Sequence, residues 1–279
     1  MVGESGLRKA LNYFFVILAL IVFVFPIYWL VNQSFKGAAE FTAMPPTLIV
    51  NDPTGENYHS LWVEQEFWRY GINSLIIAVV AAVTAVTVGS SAAYALARFR
   101  LPRNFNYHVL FTVLTVRMFP PIVTLIPIFA WYSRLDLIDH RLPLAILHAF
   151  SEVPLVTWMM IGFFREIPRD MEEAAQVDGD SKLAVLYKIA IPLARPGLAA
   201  TFVLVFISSW NEFLYASILT RSVDSMTLPK LVSSQIGQFD IKTGNLMAAG
   251  VLTTIPVLIL ALVAQRHLTR GLTVGGVTG

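Results

Sequence analysis

The feature that most constrains the fold is a series of apolar runs, each close to 20 residues long, separated by polar segments. A helix of about 20 apolar residues crosses the hydrocarbon core of a bilayer, so each run is a candidate span. We predict an all-α membrane protein with six transmembrane helices. Their approximate bounds are Tyr13–Val31, Ile72–Ala97, Tyr107–Trp131, Leu142–Phe164, Leu198–Leu219 and Leu246–Ala264.

The composition supports a lipid-facing chain. Charged residues make up 14% of the sequence, whereas a soluble domain carries about 25%. The absence of cysteine excludes disulfides and thiolate metal sites. Arg8 and Lys9 precede the first apolar run, as in a signal peptide. That run is longer than a signal core and no convincing small-x-small cleavage site follows it, so we expect a span.

The basic residues predict the orientation. If the N-terminus is cytoplasmic, twelve Lys and Arg residues fall in inside segments and seven fall in outside segments. Cytoplasmic loops carry the excess of Lys and Arg in membrane proteins. We therefore expect both termini on the cytoplasmic side of a multi-pass inner-membrane protein.

One transmembrane domain is expected over residues 1–279, with no separate soluble domain. The outside loop Lys36–Trp68 contains Pro45 and Pro46 and is too polar to span. The third predicted span contains Pro120, Pro121 and Pro127, so it should be kinked or broken. Polar backbone groups freed at such a break must face protein or a water-filled cavity.

A charged insert at about 165–196 separates the fourth and fifth runs. Pro168 suits the first turn of a helix, and Gly179 suits a left-handed stop after that helix. Asp180 or Ser181 can cap a second helix, which ends near Pro192. Both helices are too short to span, which predicts an amphipathic cytoplasmic helix-turn-helix.

The second short helix is expected to place three apolar side chains on one face. These are Leu183, Leu186 and Ile189. The small side chains of Ala174 and Ala175 allow a partner to approach the first helix closely, and Glu173 offers a carboxylate to a basic group of that partner. From these features alone, a docking surface and an ordinary solvated loop remain alternatives.

The insert resembles the EAA motif of ABC-importer permeases, in which E-A-A is followed by G and later by I-x-L-P. The residues matching in register are Glu173, Ala174, Ala175, Asp178, Gly179, Ile189 and Pro192. Ile191 replaces the usual leucine and Asp180 replaces a frequent alanine.

Further blocks resemble carbohydrate importers of the maltose type, in the MalG-like family. They are Asn73-Ser74, Ala92–Phe99, Arg117–Pro121, Trp210-Asn211-Glu212 and the tail Gly271–Gly279, in which Thr278 stands where a lysine is usual. Their occurrence in this order over nearly the whole chain is far more specific than any one block.

The resemblance implies a permease subunit of an ATP-driven importer that translocates a di- or oligosaccharide across the cytoplasmic membrane. It implies a heterodimer with a second permease subunit, two copies of a cytoplasmic ABC ATPase, an extracytoplasmic sugar-binding protein and surrounding membrane lipid. No nucleic-acid partner is expected. The sequence contains no G-x-x-x-x-G-K-[ST] phosphate loop, so the chain is not the ATPase by that motif. ATP and Mg would be bound by the partner ATPase, and no cofactor by this chain.

Two sets of residues are candidates for function. The ATPase-coupling set comprises Glu173, Ala174, Ala175, Asp178, Gly179, Leu183, Leu186, Ile189 and Pro192. The translocation path or gate set comprises Arg117, Pro120, Asn211, Glu212 and Tyr215. Charges at bilayer depth are costly and usually face the bundle interior or water. For Asn211 and Glu212, capping of helix ends is an equal alternative to lining the path.

Two further expectations concern polar residues in or near the apolar runs. Glu152 is expected near the outer rim, paired locally. The five histidines show no metal-ligand spacing and are interpreted as interface or loop residues.

Two alternative functions remain. The first is import of a sugar alcohol or glycerol phosphate by the same architecture. The second is an autonomous channel or secondary carrier, in which the EAA insert would have no role. A membrane enzyme is disfavoured because no H-E-x-x-H motif and no cysteine nucleophile occur.

Overall fold

The computed structural model describes residues 6–41, 43–45, 47–99, 105–237 and 241–274. Arg100, Arg103 and the tail residues 275–279 lie outside the described residues. The described chain is predominantly helical. The helices are α1 (Gly6–Ser34), α2 (Ala38–Phe41), α3 (Glu56–His59), α4 (Phe67–Arg98), α5 (Phe105–Met118), α6 (Pro121–Arg134), α7 (Arg141–Glu166), α8 (Arg169–Val177), α9 (Lys182–Val185), α10 (Ile191–Leu193), α11 (Arg195–Trp210), α12 (Leu214–Leu219), α13 (Leu228–Ser234) and α14 (Thr243–Val274), with π-helical turns at Ser60–Glu64 and Leu186–Ala190.

The all-α membrane fold is confirmed. Four of the described helices are long and apolar enough to cross a membrane, and the number rises to as many as six if each of two bent pairs counts as one span. The first, second, fourth and sixth predicted spans lie within α1, α4, α7 and α14. The fifth predicted span is not continuous, because α11 ends at Trp210 and α12 begins at Leu214.

The third predicted span is broken between α5 and α6, whose axes differ by 90°. Pro120 adopts an extended backbone (φ −60°, ψ 128°) immediately before Pro121, the first residue of α6. A proline at the first helical position costs no hydrogen bond, because that N–H has no partner within the helix. The predicted break is therefore confirmed, whereas Pro127 lies within α6.

The described chain falls into two compact units. The first comprises Met1–Trp68 and Val232–Pro256. In it, the side-chain amide of Asn57 donates to the carbonyl oxygens of Ser34 (2.9 Å) and Lys36 (2.8 Å) at the end of α1. The middle of α1 exposes its apolar side chains, as expected for a helix surrounded by acyl chains.

The second unit comprises Arg69–Leu231 and Val257–Gly279 and contains the candidate site. Its core includes the fully buried side chains of Val156, Met160 and Phe164 from α7. α4 approaches α7 closely at Gly89, where a Cβ atom would lie 2.7 Å from Cβ of Val156. Small residues permit such close contact in lipid, where packing replaces the hydrophobic drive.

The loop between α6 and α7 is fixed by Asp139. Its carboxylate accepts hydrogen bonds from the backbone N–H groups of Arg221 (2.7 Å) and Ser222 (2.8 Å) and from the hydroxyl of Ser225. Burial raises the pKa of Asp139, but these hydrogen bonds outweigh burial and hold the pKa well below its ordinary value. The loop therefore depends on an ionised carboxylate.

Candidate functional site

The insert between α7 and α11 begins with α8, which ends in a left-handed glycine. Gly179 has φ +97°, its N–H donates to the carbonyl of Gln176 (3.1 Å), and the N–H of Asp180 donates to the carbonyl of Ala175 (2.9 Å). These two bonds are those of a Schellman motif, which satisfies the last carbonyls of a helix. The predicted stop at Gly179 is confirmed. Pro168 precedes the first residue of α8 by one position.

The second helix of the insert begins at Ser181. Its hydroxyl accepts a hydrogen bond from the N–H of Ala184 (3.2 Å), which identifies Ser181 rather than Asp180 as the cap. α9 is a single turn that continues into the π-helical turn and α10, ending at Leu193 one residue beyond Pro192. The predicted helix-turn-helix geometry is therefore present.

The inward face of this second helix differs from the prediction. Leu186 is buried, but Leu183 is 63% exposed and Ile189 is half-buried, so the three do not share one buried face. Val185 and Ala190 are buried instead. These two are five residues apart, the hydrogen-bond spacing of a π-helix, so the turn at Leu186–Ala190 brings them nearer to one face than an α-helix would.

The motif residues on α8 lie on an open surface. Glu173 and Ala174 are exposed, Ala175 is half-buried, and Asp178 is exposed beside the turn. Val177 is 87% exposed at the end of the helix, an unusual position for an aliphatic side chain. Glu173, Ala174 and Val177 are therefore accessible on α8, and Ala175 is accessible in part.

Glu172, adjacent to Glu173, is buried on the opposite side of α8. Its Oε1 lies 2.7 Å from Nη2 of Arg98, and its Oε2 accepts a hydrogen bond from the hydroxyl of Tyr94 (3.0 Å). Nη2 of Arg98 also donates to the carbonyl of Ile167 (2.9 Å). This group connects α8 to the last turns of α4 and to the end of α7.

A small cavity of about 200 Å³ opens beside this ion pair. Glu173 and Gln176 of α8 and Phe99 contribute to its lining, and Nζ of Lys182 lies 4.9 Å from the ring centroid of Phe99. Its lining also includes the cationic side chains of Arg98, Arg169 and Lys182, so the carboxylates of Glu172 and Glu173 already have basic groups close by.

A second, larger cavity of about 510 Å³ lies where the α5–α6 break faces α7 and the α11–α12 break. Of the predicted path residues, Arg117, Glu212 and Tyr215 line this cavity. Pro120 forms the break between α5 and α6. Asn211 donates from its side-chain amide to the carbonyl of Ile207 (2.9 Å), which is a role at a helix end.

Glu152 lines this cavity near the middle of the 26-residue α7, so the expectation that it lies near the outer rim is wrong. Its Oε2 lies 3.0 Å from Nη1 of Arg117 and its Oε1 accepts a hydrogen bond from the hydroxyl of Ser208 (2.6 Å). The carboxylate therefore joins three helices. Because a charge at this depth is costly, its pairing with Arg117 is the arrangement expected of a membrane interior.

His148 is a cavity residue that sequence reasoning missed. Its side chain is 2% exposed, with Nδ1 2.8 Å from the hydroxyl of Ser209 and Nε2 3.1 Å from Oε2 of Glu212. The interpretation of this histidine as an interface or loop residue is wrong. Its spacing of four residues from Glu152 places both on one face of α7, a signal that the sequence offered.

Glu212 has the predicted capping role and also lines the larger cavity. Its carboxylate accepts hydrogen bonds from the N–H groups of Tyr215 (2.8 Å) and Ala216 (3.1 Å), which caps the start of α12. The same side chain lines the cavity. The hydroxyls of Tyr215 and Thr124 lie 3.0 Å apart, joining α12 to α6.

Comparison with known proteins gives consistent results. Residues 85–274 match the family described as the binding-protein-dependent transport system inner membrane component. The inner membrane ABC transporter permease protein YcjP of Escherichia coli (strain K12) is 36% identical over 264 residues, covering 94% of both chains. The trehalose transport system permease protein SugB of Mycobacterium tuberculosis (strain CDC 1551 / Oshkosh) is 34% identical over 278 residues, covering 98% of this chain and all of the relative.

A solved structure has the same fold over nearly the full chain. It is a crystal structure of a bacterial ABC transporter involved in the import of the acidic polysaccharide alginate. The TM-score is 0.81 at 24% identity, with 95% of this chain and 99% of that chain covered. The helical architecture, the broken spans and the sequence relatives lead to one conclusion: this chain belongs to the family of binding-protein-dependent transport system inner membrane components.

Proposed function

We propose that this chain is a permease subunit of an ATP-driven importer that moves a di- or oligosaccharide across the cytoplasmic membrane. The family and relatives such as the trehalose permease support this function. The observation that carries the proposal is the accessible face of α8, where Glu173 and Ala174 are exposed while adjacent Glu172 is buried. A face of this kind on a short polar insert suits docking of a soluble subunit.

The docking surface extends over both helices of the insert. Glu173 faces the basic side chain of a cytoplasmic ATPase, and the small side chains of Ala174 and Ala175 allow close approach. Exposed Val177 and Leu183 supply apolar area that a partner would cover. ATP and Mg are bound by that ATPase, of which two copies serve a heterodimer of this chain and a second permease subunit.

Force transmission from the docked ATPase follows from the buried contacts behind α8. Glu172 is held by Arg98 of α4, which also bonds the carbonyl of Ile167 at the end of α7. A displacement of α8 is therefore transmitted to two membrane helices at once, as a rigid-body movement between two bundle states. In the proposed orientation, both chain termini and the insert are cytoplasmic, and a binding protein delivers sugar to the opposite face.

The translocation path is proposed to pass the larger cavity. Arg117, Glu212 and Tyr215 line it, and Pro120 and Asn211 determine the helix breaks on its two sides. Irregular backbone at membrane depth is tolerated where it is buried in protein or lines a water-filled cavity. The two breaks are consistent with a hydrated path at this position.

The testing experiment is co-purification of tagged chain from mild detergent, followed by mass spectrometry. The wild-type chain is expected to retain a second permease and an ATPase, and Glu173→Lys to lose the ATPase because it places like charges together. Glu166→Lys provides a matched control, since Glu166 is also exposed but lies outside the motif.

Normal ATPase recovery with Glu173→Lys would contradict the docking assignment. Sugar uptake by this chain alone in vesicles without ATP would contradict the importer function and support an autonomous carrier.

A further inference from the structure

The larger cavity has the size and lining of a ligand site. Its volume of about 510 Å³ falls within the range of about 300–1,000 Å³ that is common for small-molecule pockets. Exposed Phe119 and Phe150 contribute aromatic surface, and the hydroxyls of Thr124, Ser151 and Tyr215 contribute hydrogen-bonding groups. Such a mixture suits a ligand with both apolar faces and hydroxyl groups.

Both carboxylates of this cavity already have partners within the protein. Glu152 is bonded by Arg117 and Ser208. Glu212 is bonded by the N–H groups at the start of α12, and its Oε2 lies 3.1 Å from Nε2 of His148. Among the described lining residues there are two carboxylates, one guanidinium and one imidazole. The net charge is therefore negative when His148 is neutral and zero when it is protonated, and in neither state is it positive.

An anionic ligand would find no uncompensated cation among these residues. Arg117 is the cationic lining residue that keeps its charge at every physiological pH, and it is already shared with Glu152. A ligand carboxylate or sulfonate here would face two protein carboxylates at short range. A neutral ligand meets no such repulsion, and Arg117 retains N–H donors beyond the one that bonds Glu152.

We propose that this cavity is a binding subsite for an uncharged, polyhydroxylated sugar and that it excludes anionic sugars. The inference rests on the proposed function and specifies its substrate class. The hydroxyls and remaining guanidinium donors bind sugar hydroxyls, and Phe119 and Phe150 contact the apolar faces of the sugar rings. An acyl chain is a poorer occupant, because two carboxylates, a guanidinium and an imidazole line the cavity.

The absence of native cysteine gives a direct test. Ser151→Cys introduces one thiol at an exposed position of the cavity lining. The transporter, assembled with cysteine-free partner subunits in nanodiscs at pH 8.5, is treated with neutral, cationic and anionic methanethiosulfonate reagents. Labelling of this chain is followed by mass spectrometry, and rates are normalised to those of a small free thiol. Ser233→Cys, at an exposed position of α13, is the control.

We compare the ratio of cationic to anionic labelling rates at the thiol of Ser151→Cys with the same ratio at the control thiol. If the cavity's net charge of −1 acts at roughly 6 Å from the reagent charge in water, the ratio should be about tenfold higher at Ser151→Cys. Glu212→Gln in the same background removes one charge, and the ratio is expected to fall to about one. Trehalose, maltose or diacetylchitobiose is expected to slow labelling, whereas digalacturonate is not.

Equal or faster labelling by the anionic reagent would overturn the subsite, as would protection by digalacturonate or by none of the neutral sugars. Uptake assays on the same complex with its binding protein separate the two hypotheses. ATP-dependent uptake of digalacturonate would overturn the subsite but leave the importer function intact. Uptake of any sugar without ATP would contradict the importer function itself.

Discussion

Glu172→Gln tests whether the buried ion pair holds the insert on the membrane helices. The side chains of Arg98 and Glu172 are 7% and 6% exposed, and their charged atoms lie 2.7 Å apart. Removing one partner of a buried pair costs about 3–5 kcal/mol, because an uncompensated charge remains. Glutamine keeps one acceptor oxygen, so we expect a value near the lower limit, about 3 kcal/mol.

Hydrogen–deuterium exchange of the α8 amides in the assembled transporter measures this loss locally. If α8 opens as a unit, about 3 kcal/mol corresponds to exchange roughly 10²-fold faster. Glu173→Gln is the matched control, because it makes the same chemical change on the neighbouring, exposed residue. The α8 amides of that control should exchange within about threefold of the wild-type rate, since surface substitutions change stability by about 0.5 kcal/mol or less.

Exchange that accelerates by less than about tenfold in Glu172→Gln, or equally in both variants, would refute the role assigned to the ion pair. The double variant Arg98→Met with Glu172→Leu examines the charge further. Replacing both partners by apolar residues is often neutral, so α8 should regain part of its protection. Protection lower than in the single variant would show that hydrogen bonds to Tyr94 and Ile167, rather than the charge, hold the insert.

Three other substitutions address the remaining parts of the second unit. Gly89→Ala places a Cβ 2.7 Å from Val156, so thermal melting in detergent should show a loss of about 1–3 kcal/mol in the free energy of unfolding. Gly162→Ala is the control: its added Cβ would meet no atom within 4 Å, so it should be neutral or stabilising. Gly179 has φ +97°, a left-handed conformation that valine adopts at a cost of about 1–2 kcal/mol. Gly179→Val should therefore destabilise the insert and speed amide exchange in α8. Unchanged exchange would show that the turn does not need a left-handed residue at this position. Asp139→Asn should weaken the α6–α7 loop by about 1–3 kcal/mol at neutral pH. The pKa of Asp139 is lower in the folded chain than in the unfolded chain, so the ionised carboxylate stabilises the fold fully above the unfolded pKa. This stabilisation declines as pH falls below about 4. The melting temperatures of the wild type and of Asp139→Asn should therefore converge in acid.

Local rules predicted much of this structure. Apolar length located the spans, Pro120 and Pro121 located a 90° break, and Gly179 and Ser181 located the turn and cap of the insert. Each of these features depends on a few consecutive residues whose backbone preferences act in any context. The π-helical turn at Leu186–Ala190 carries no comparable local signal, which is why the buried face of that helix was assigned incorrectly.

The pairings across helices were beyond the reach of a single sequence. Arg98 and Glu172 are 74 residues apart, and Ser208 and Glu152 are 56 apart. Which faces of two helices meet depends on the packing of all their side chains, and a single sequence does not encode that choice as a pattern. Spacing along one helix was informative, since His148 and Glu152 lie four residues apart, but it did not identify Ser209 and Glu212 as partners of the histidine.

The insert and the larger cavity are connected through α7 and α4. α7 carries His148 and Glu152 in the cavity and ends beside Ile167, whose carbonyl is held by Arg98 of α4. The distance along α7 from Glu152 to its last turn is about 20 Å at 1.5 Å per residue. Gly89 packs α4 against Val156 between these two points. A helix pair packed as closely as α4 and α7 moves as one body rather than bending. Displacement of the insert should therefore change the shape of the larger cavity. A substitution at Gly89 that separates α4 from α7 should weaken this coupling even where the insert and the cavity remain intact.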